Sequence, residues 1–338
     1  TYSYARTIGS NSTGVGPDSL QINYAEISSA PNYKPSTTQY KYSMVYSGSG
    51  TRDNSHTFAS NNYIVSQDVW TTDGLVSAIE NKAKPNFVGT TSVAKKCYDK
   101  AKEILIEICD DDMTDLEKSL AIHDYVVSNV AYDNYGLNNI TGKNLIGIYH
   151  YLESPMLYGL AVCDGYAKMY SLLCNMEGIK CIVVAGLADK EDASTGHAWN
   201  KIYLDTDGDG TNEWYIVDCT HDDPNGGNNT EYLRHEYFMA TDQMLSVRQE
   251  YKAYPKTTKS TEGFYGNFKA FKSEDYDGLT LKIDDKNSLD KLKAFLNNND
   301  KYNIEVLVKS SYLGSLGYGY TALSYESDSN YKIVYLHK

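Results

Sequence analysis

The sequence predicts an α+β protein: helices packed on an antiparallel sheet, with a β-rich or extended N-terminal region and a small α+β unit at the C-terminal end. Three observations carry this reading. From Cys163 onward the apolar residues fall at 163, 166, 167, 170, 173 and 174, the spacing of one helical face, and Gly178 ends the run. Residues 196–204 and 212–220 alternate like strands around the turn-rich loop Asp205 to Thr211, which makes them an antiparallel hairpin. After a shift in composition near 251, a strand at 279–283, a helix at 289–296 and strands near 303–308, 319–325 and 331–336 follow one another.

Taken in order, residues 1–66 are interrupted by Gly9, Gly14, Gly16, Pro17, Pro31 and Pro35, with 39–46 and 62–69 as their best strands. Residues 92–109 are helical, carrying Ala94, Tyr98, Ala101, Leu105 and Ile108 on one side. Thr114-x-x-Glu117 is a capping box that opens a second helix, reaching about Val130, and 144–152 forms a third. Residues 180–185 are almost uninterruptedly apolar, which predicts a central strand. Glu236 to Ala240 adds another strand, and 251–268 reads as a connecting or covering segment. The expected division is therefore 1–90, 91–250 and 251–338, with the middle part as the functional core.

Composition limits what the chain can do. At 338 residues, 41% hydrophobic and 22% charged, it is an ordinary globular chain long enough for a sizeable core. A formal net charge of −13 repels phosphate and excludes a nucleic-acid partner. No apolar run reaches the ~18 residues of a membrane span, so no membrane insertion is expected. Tyr outnumbers Phe by 32 to 7, a balance suited to exported bacterial surface proteins, and residue 1 is Thr rather than Met. An extracellular or cell-surface location follows as an expectation. Of six cysteines, Cys97 and Cys109 lie twelve apart in one helical pattern, about 18 Å along its axis and too far to bridge. Buried thiols are expected, apart from Cys163.

The chemistry concentrates between Cys163 and Asp218. Cys163 opens a helix, where unpaired N–H groups and the positive end of the dipole favour an anion and lower a thiol pKa. Asp164 works against this, as a like charge beside a thiolate. In a hairpin with Tyr203 opposite Asn212, His197 faces Asp218 directly, the two Cβ atoms ~4.5–5.5 Å apart, so the carboxylate can hold one ring nitrogen while the other meets the thiol. Taken singly, each residue has an ordinary structural explanation; together they are a nucleophile, a base and an orienting carboxylate.

Cys163-x-Gly165-Tyr166-Ala167, Gly196-His197-Ala198-Trp199-Asn200 and Trp214-Tyr215-x-Val217-Asp218-x-Thr220-x-Asp222-Asp223-Pro224 resemble the transglutaminase-like superfamily in its bacterial form. The similarity runs from about Thr114 to Leu245. It implies a papain-like α+β core with Cys163 as nucleophile, His197 as base and Asp218 as orienter, needing no cofactor. His221 departs from the pattern, standing where a Trp is expected in the wall of the acceptor site. Candidate substrate-pocket residues are Trp199, Tyr166, Tyr132 and His221. In the hairpin loop, Asp205, Asp207 and Asp209 followed by Gly210 match an oxygen-rich calcium loop, with Glu213 as a further ligand in place of the missing position-twelve Glu. A structural calcium is thus a candidate. The expected function is cysteine-dependent acyl transfer on a peptide or protein amide, ending in hydrolysis or transamidation. The alternative is a non-catalytic surface binding or adhesion module on the same scaffold.

Overall fold

The computed structural model describes residues 56–89, 92–133, 148–187, 196–206, 209–223, 234–246, 248, 251, 253–259, 263–267, 280–300 and 303–337. The expected strand at 39–46, residues 144–147 of the helix expected at 144–152, and Asp207 of the calcium loop lie outside them; the described remainder of that helix is a short 3-10 turn, Ile148–His150. Strand β1 (Val65–Val69), helix α1 (Thr72–Glu80) and strand β2 (Ala83–Phe87) form a β-α-β unit whose strands are parallel. The sequence reading had no helix here. Its signals are nonetheless present: Thr71 accepts from Gly74 N as N-cap, Asp73 lies in the first turn, and Leu75, Val76, Ala78 and Ile79 are buried.

Helix α2 (Val93–Ile108) starts at a Ser92 cap, and α3 (Asp115–Asn129) starts at the expected Thr114/Glu117 capping box. Strand β3 (Ala131–Tyr132) follows, and the short helix α4 (Glu153–Tyr158) leads to β4 (Leu160–Ala161), which pairs with β3 in parallel. Helix α5 (Cys163–Met176) has one face on α1 and α3 and another on the main sheet. Tyr170 Oη donates to Ser119 O at 3.2 Å, and Asn200 Nδ2 donates to Ala167 O at 2.9 Å, which fixes α5 across the sheet.

That sheet comprises β5 (Lys180–Leu187), β6 (Gly196–Leu204), β7 (Glu213–Val217) and, after the short helix α6 (Cys219–Asp222), β8 (Phe238–Ala240), in the order β5-β6-β7-β8. All pairings are antiparallel. The apolar run at 180–185 is therefore an edge strand, not a central one. Its edge is covered instead of paired: α1 packs beside it, and the Glu80 carboxylate accepts from the backbone of Val183. The hairpin register also differs from expectation. Tyr203 pairs with Trp214, and the ladder ends at Asn200 and Val217, two residues from the predicted alignment. The cause lies in the loop, where Asp205 Oδ2 accepts from Gly210 N at 2.8 Å and Asp209 Oδ1 from Thr211 N at 2.6 Å. These local turns keep 211 and 212 out of the ladder. A slip of two preserves the face each side chain occupies, so Asp218 stays on the side of His197.

Residues 253–259 cover the sheet, α7 (Gly263–Asn267) packs on β8, and a second sheet of order β11-β12-β10-β9 closes the molecule. Its strands are β9 (Lys282–Ile283), β10 (Asn303–Lys309), β11 (Thr321–Ser324) and β12 (Tyr331–His337), with α8 (Lys286–Asn298) crossing between β9 and β10. Buried apolar side chains from Phe58 through Trp199 to Leu336 form one continuous cluster. Among the described residues, no helix is long and apolar enough to cross a membrane. A helix that starts at a cysteine and packs across an antiparallel sheet is the papain-like α+β arrangement expected.

Candidate active site

Cys163 is the first residue of α5. The preceding Val162 makes no side-chain cap; its carbonyl accepts from Gly165 N at 2.9 Å, and the N–H groups of Cys163 and Asp164 are not capped by it. Gly165 explains the glycine two residues on: a Cβ there would stand 2.7 Å from both Ala161 Cβ and Tyr149 O. The charge of Asp164 is taken up by Lys168 Nζ at 3.2 Å and His150 Nδ1 at 3.8 Å. Although burial opposes it, the His150 hydrogen bond and the Lys168 charge hold the Asp164 carboxyl below its usual range. Asp164 is thus ionised but neutralised beside the thiol.

His197 stands at the start of β6, paired with Gly186 of β5. Its Nε2 donates to Asp218 Oδ2 at 2.6 Å, while Cys163 acts on the same ring, which leaves Nδ1 as the nitrogen for sulfur. Burial works against the imidazolium, but the charge and hydrogen bond of Asp218, helped by Cys163, raise the His197 pKa to about 10. Asp218 follows directly on β7 and caps α6, its Oδ1 accepting from Thr220 N at 3.0 Å and His221 N at 3.1 Å. Burial would raise its pKa, yet the charges of His197 and His221 hold it well below the usual carboxylate range. The structure therefore brings Cys163, His197 and Asp218 together, through a chain turn after the ladder and not by direct opposition across it.

The other named residues divide. Trp199 lies on the same strand face as His197, its ring stacked 5.9 Å away. His221 also stacks on the His197 ring, at 4.4 Å, and brings Nδ1 to 3.2 Å from Asp218 Oδ2. Tyr132 feels the charges of Cys163, Asp133 and Asp218, and burial with those charges pushes its phenol up to about 12. Tyr166 is not a pocket residue: it is buried, donating to Val130 O at 3.0 Å and Asp223 Oδ2 at 2.5 Å. The helical face that carries it points into the core. In the hairpin loop, Asp205 and Asp209 bind the turn's own amides, and Glu213 accepts from Tyr215 Oη at 3.2 Å.

Sequence reasoning missed Tyr251. It is buried and donates to Asp218 Oδ2 at 2.5 Å while accepting from His221 Nδ1 at 2.5 Å. No periodicity or motif around it signals this contact. Among the described residues, two groups bring metal-ligand atoms within 4.8 Å of one another. In the first, the His197 and His221 rings stack at 20°, so one ion cannot lie in both ring planes. In the second, His123 and His235 share Asp124 Oδ1 at 2.9 and 2.8 Å, and their other nitrogens meet Asp222 at 3.1 Å and Glu305 at 2.7 Å. Every ring nitrogen there already has a carboxylate, the pattern of two buried imidazolium ions.

Residues 102–219, which include all three converging side chains, match the family model of the transglutaminase-like superfamily. Kyphoscoliosis peptidase of Homo sapiens is 26% identical over 127 residues, an alignment covering 35% of this chain and 17% of the relative. The same-named protein of Mus musculus is 33% identical over 66 residues, covering 17% of this chain and 9% of the relative. The chain thus spans less than a fifth of the relatives it matches. A solved structure titled "Crystal structure of a TGase" aligns with 49% of this chain and 39% of that one at 17% identity, with a TM-score of 0.29, too low to carry an argument. The family match and the arrangement of the core lead to one assignment: residues 102–219 form a transglutaminase-like domain, of a superfamily of cysteine-dependent enzymes.

Proposed function

We propose that this protein catalyses acyl transfer on an amide bond of a peptide or protein through a thioester at Cys163. The observation that carries the reading is the convergence of Cys163, at the start of α5, on a His197 ring that is hydrogen-bonded to Asp218 at 2.6 Å. The Cys163 thiolate attacks the carbonyl carbon, forming the C–S bond. His197, protonated through neutral pH, gives its proton to the nitrogen as the C–N bond breaks and the amine leaves. Water or an acceptor amine then attacks the thioester, His197 takes up its proton, and the thiolate departs. Asp218 holds the ring throughout. The oxyanion is placed against the Cys163 N–H and the Tyr132 phenol, each donor contributing ~2.7–4 kcal/mol at the transition state. The buried Trp199 and the half-buried His221 pack against the imidazole ring. The name of the curated relatives favours water as acceptor, making the protein a peptidase.

The test is the alkylation rate of Cys163 against pH, in the wild type and in His197→Ala. A wild-type Cys163 that alkylates markedly faster near neutral pH than the same thiol in the His197→Ala variant is the expected result. If the two profiles coincide, the enzymatic reading fails. Peptide hydrolysis and amine incorporation, assayed side by side, then separate the two acceptors.

A further inference from the structure

His197, Trp199 and Lys201 alternate onto one face of β6, and the chain at Tyr251 and 253–259 lies along that face. At one end the Tyr251 ring meets Trp199 edge-on at 4.9 Å and His197 at 6.0 Å. At the other, the wholly buried Lys201 ammonium donates to Ala253 O at 3.0 Å, Pro255 O at 2.6 Å and Asp242 Oδ1 at 2.9 Å. Thr257 and Asp242 exchange two hydrogen bonds, at 2.8 and 3.2 Å, and Thr258 N donates to Trp214 O at 3.1 Å. The segment itself lies outside the stretch that matches the family, and it is pegged along its length by Trp199, Lys201 and Trp214 within that stretch and by Asp242 beyond it.

We infer that Tyr251 is a positioning residue of the Cys163–His197–Asp218 site: its phenol, held by the strap that Lys201 anchors, shares Asp218 Oδ2 with His197 and limits how strongly that carboxylate draws the imidazolium proton. The inference rests on the proposed role of those three residues. Each donor to a carboxylate oxygen spreads its charge, so an Asp218 deprived of the phenol is a stronger acceptor for His197. The carboxylate does not swing away when the phenol is lost, because Oδ1 remains tied to Thr220 N and His221 N. The charged and titratable groups facing this pair are Cys163 from α5, Tyr132 from β3, Cys219, His221 and Asp222 from α6, and Tyr237 at the entry to β8. The Arg248 guanidinium lies over the Tyr251 ring at 5.7 Å, but it is paired with Glu326 at 2.9 Å, and Asp222 is engaged by His123. Tyr251→Phe therefore changes the hydrogen bonding of Asp218 and leaves the surrounding charges in place.

The experiment is an NMR titration of the His197 ring, with Cys163 alkylation followed in parallel, in the full chain. Tyr251→Phe is made alone, in an Asp218→Asn background, and in a His221→Phe background where His221 cannot move into the vacated contact. The expected result is an upward displacement of the His197 titration by about 0.5–1 pH unit in Tyr251→Phe, reproduced with His221→Phe and absent with Asp218→Asn. No displacement, a downward one, or the same displacement without the Asp218 carboxylate overturns the inference. A wild-type Cys163 that alkylates as an ordinary thiol overturns the enzymatic reading instead, and the His197 titration distinguishes the two failures.

Discussion

A glycine and an aspartate follow the thiol, and each has a reason of its own. Asp164 would oppose a thiolate if left bare, but Lys168 and His150 absorb its charge. Gly165 lets α5 approach the Tyr149 carbonyl, a backbone group with little room to give way. Gly165→Ala should cost roughly 1–3 kcal/mol of overpacking, read as a lower urea midpoint. Cys163, His197 and Asp218 were legible because each sits within a short block whose neighbours fix its position, and the blocks occur in order. Tyr251 was not legible: its partner lies 33 residues away, and nothing near it distinguishes a tyrosine that binds a carboxylate from one that fills a core.

Among the elements, the two longer capped helices could be read from the sequence, as the Ser92 and Thr114 starts show, whereas the shorter α1 behind its Thr71 cap was missed. The hairpin was legible in kind but not in register, since the alignment depended on Asp205 and Asp209 tying down the turn. The edge position of β5 was hidden because an edge covered by a helix is as apolar as a centre. At the entry to β8, Glu236 Oε1 accepts from the backbone N–H groups of Glu326 and Ser327, and burial outweighs those bonds to push its carboxyl up to about 8. An acid raised in this way binds its proton more tightly folded than unfolded. Stability therefore falls as pH climbs from about 4.5 to about 8. Glu236→Gln should flatten that slope by on the order of a few kcal/mol across the window, measured by urea unfolding at a series of pH values.

Across the whole molecule, a buried series of charges runs from α6 to the C-terminal sheet: Asp222, His123, Asp124, His235, Glu305, with Tyr265 donating to Glu305. Its members come from positions 123 to 305, so no local pattern announces it. Burial opposes the His235 imidazolium, but Asp124 and Glu305 hold its pKa well above 6.5. The resulting stabilisation is complete below about 6.5 and fades as pH rises through the folded value. Glu305→Gln leaves that imidazolium short of a counter-charge and should cost roughly 3–5 kcal/mol near neutrality, with the gap from wild type narrowing in alkali, measured by equilibrium denaturation.

The place of Glu305 late in the chain also has a consequence for the core. Cys163, His197 and Asp218 leave the ribosome well before β10, yet the buried imidazolium behind α6 acquires its second carboxylate only when β10 arrives. A chain cut before that strand carries Cys163, His197 and Asp218 but leaves the His235 imidazolium with Asp124 alone, so the packing behind α6 is weaker without the final sheet.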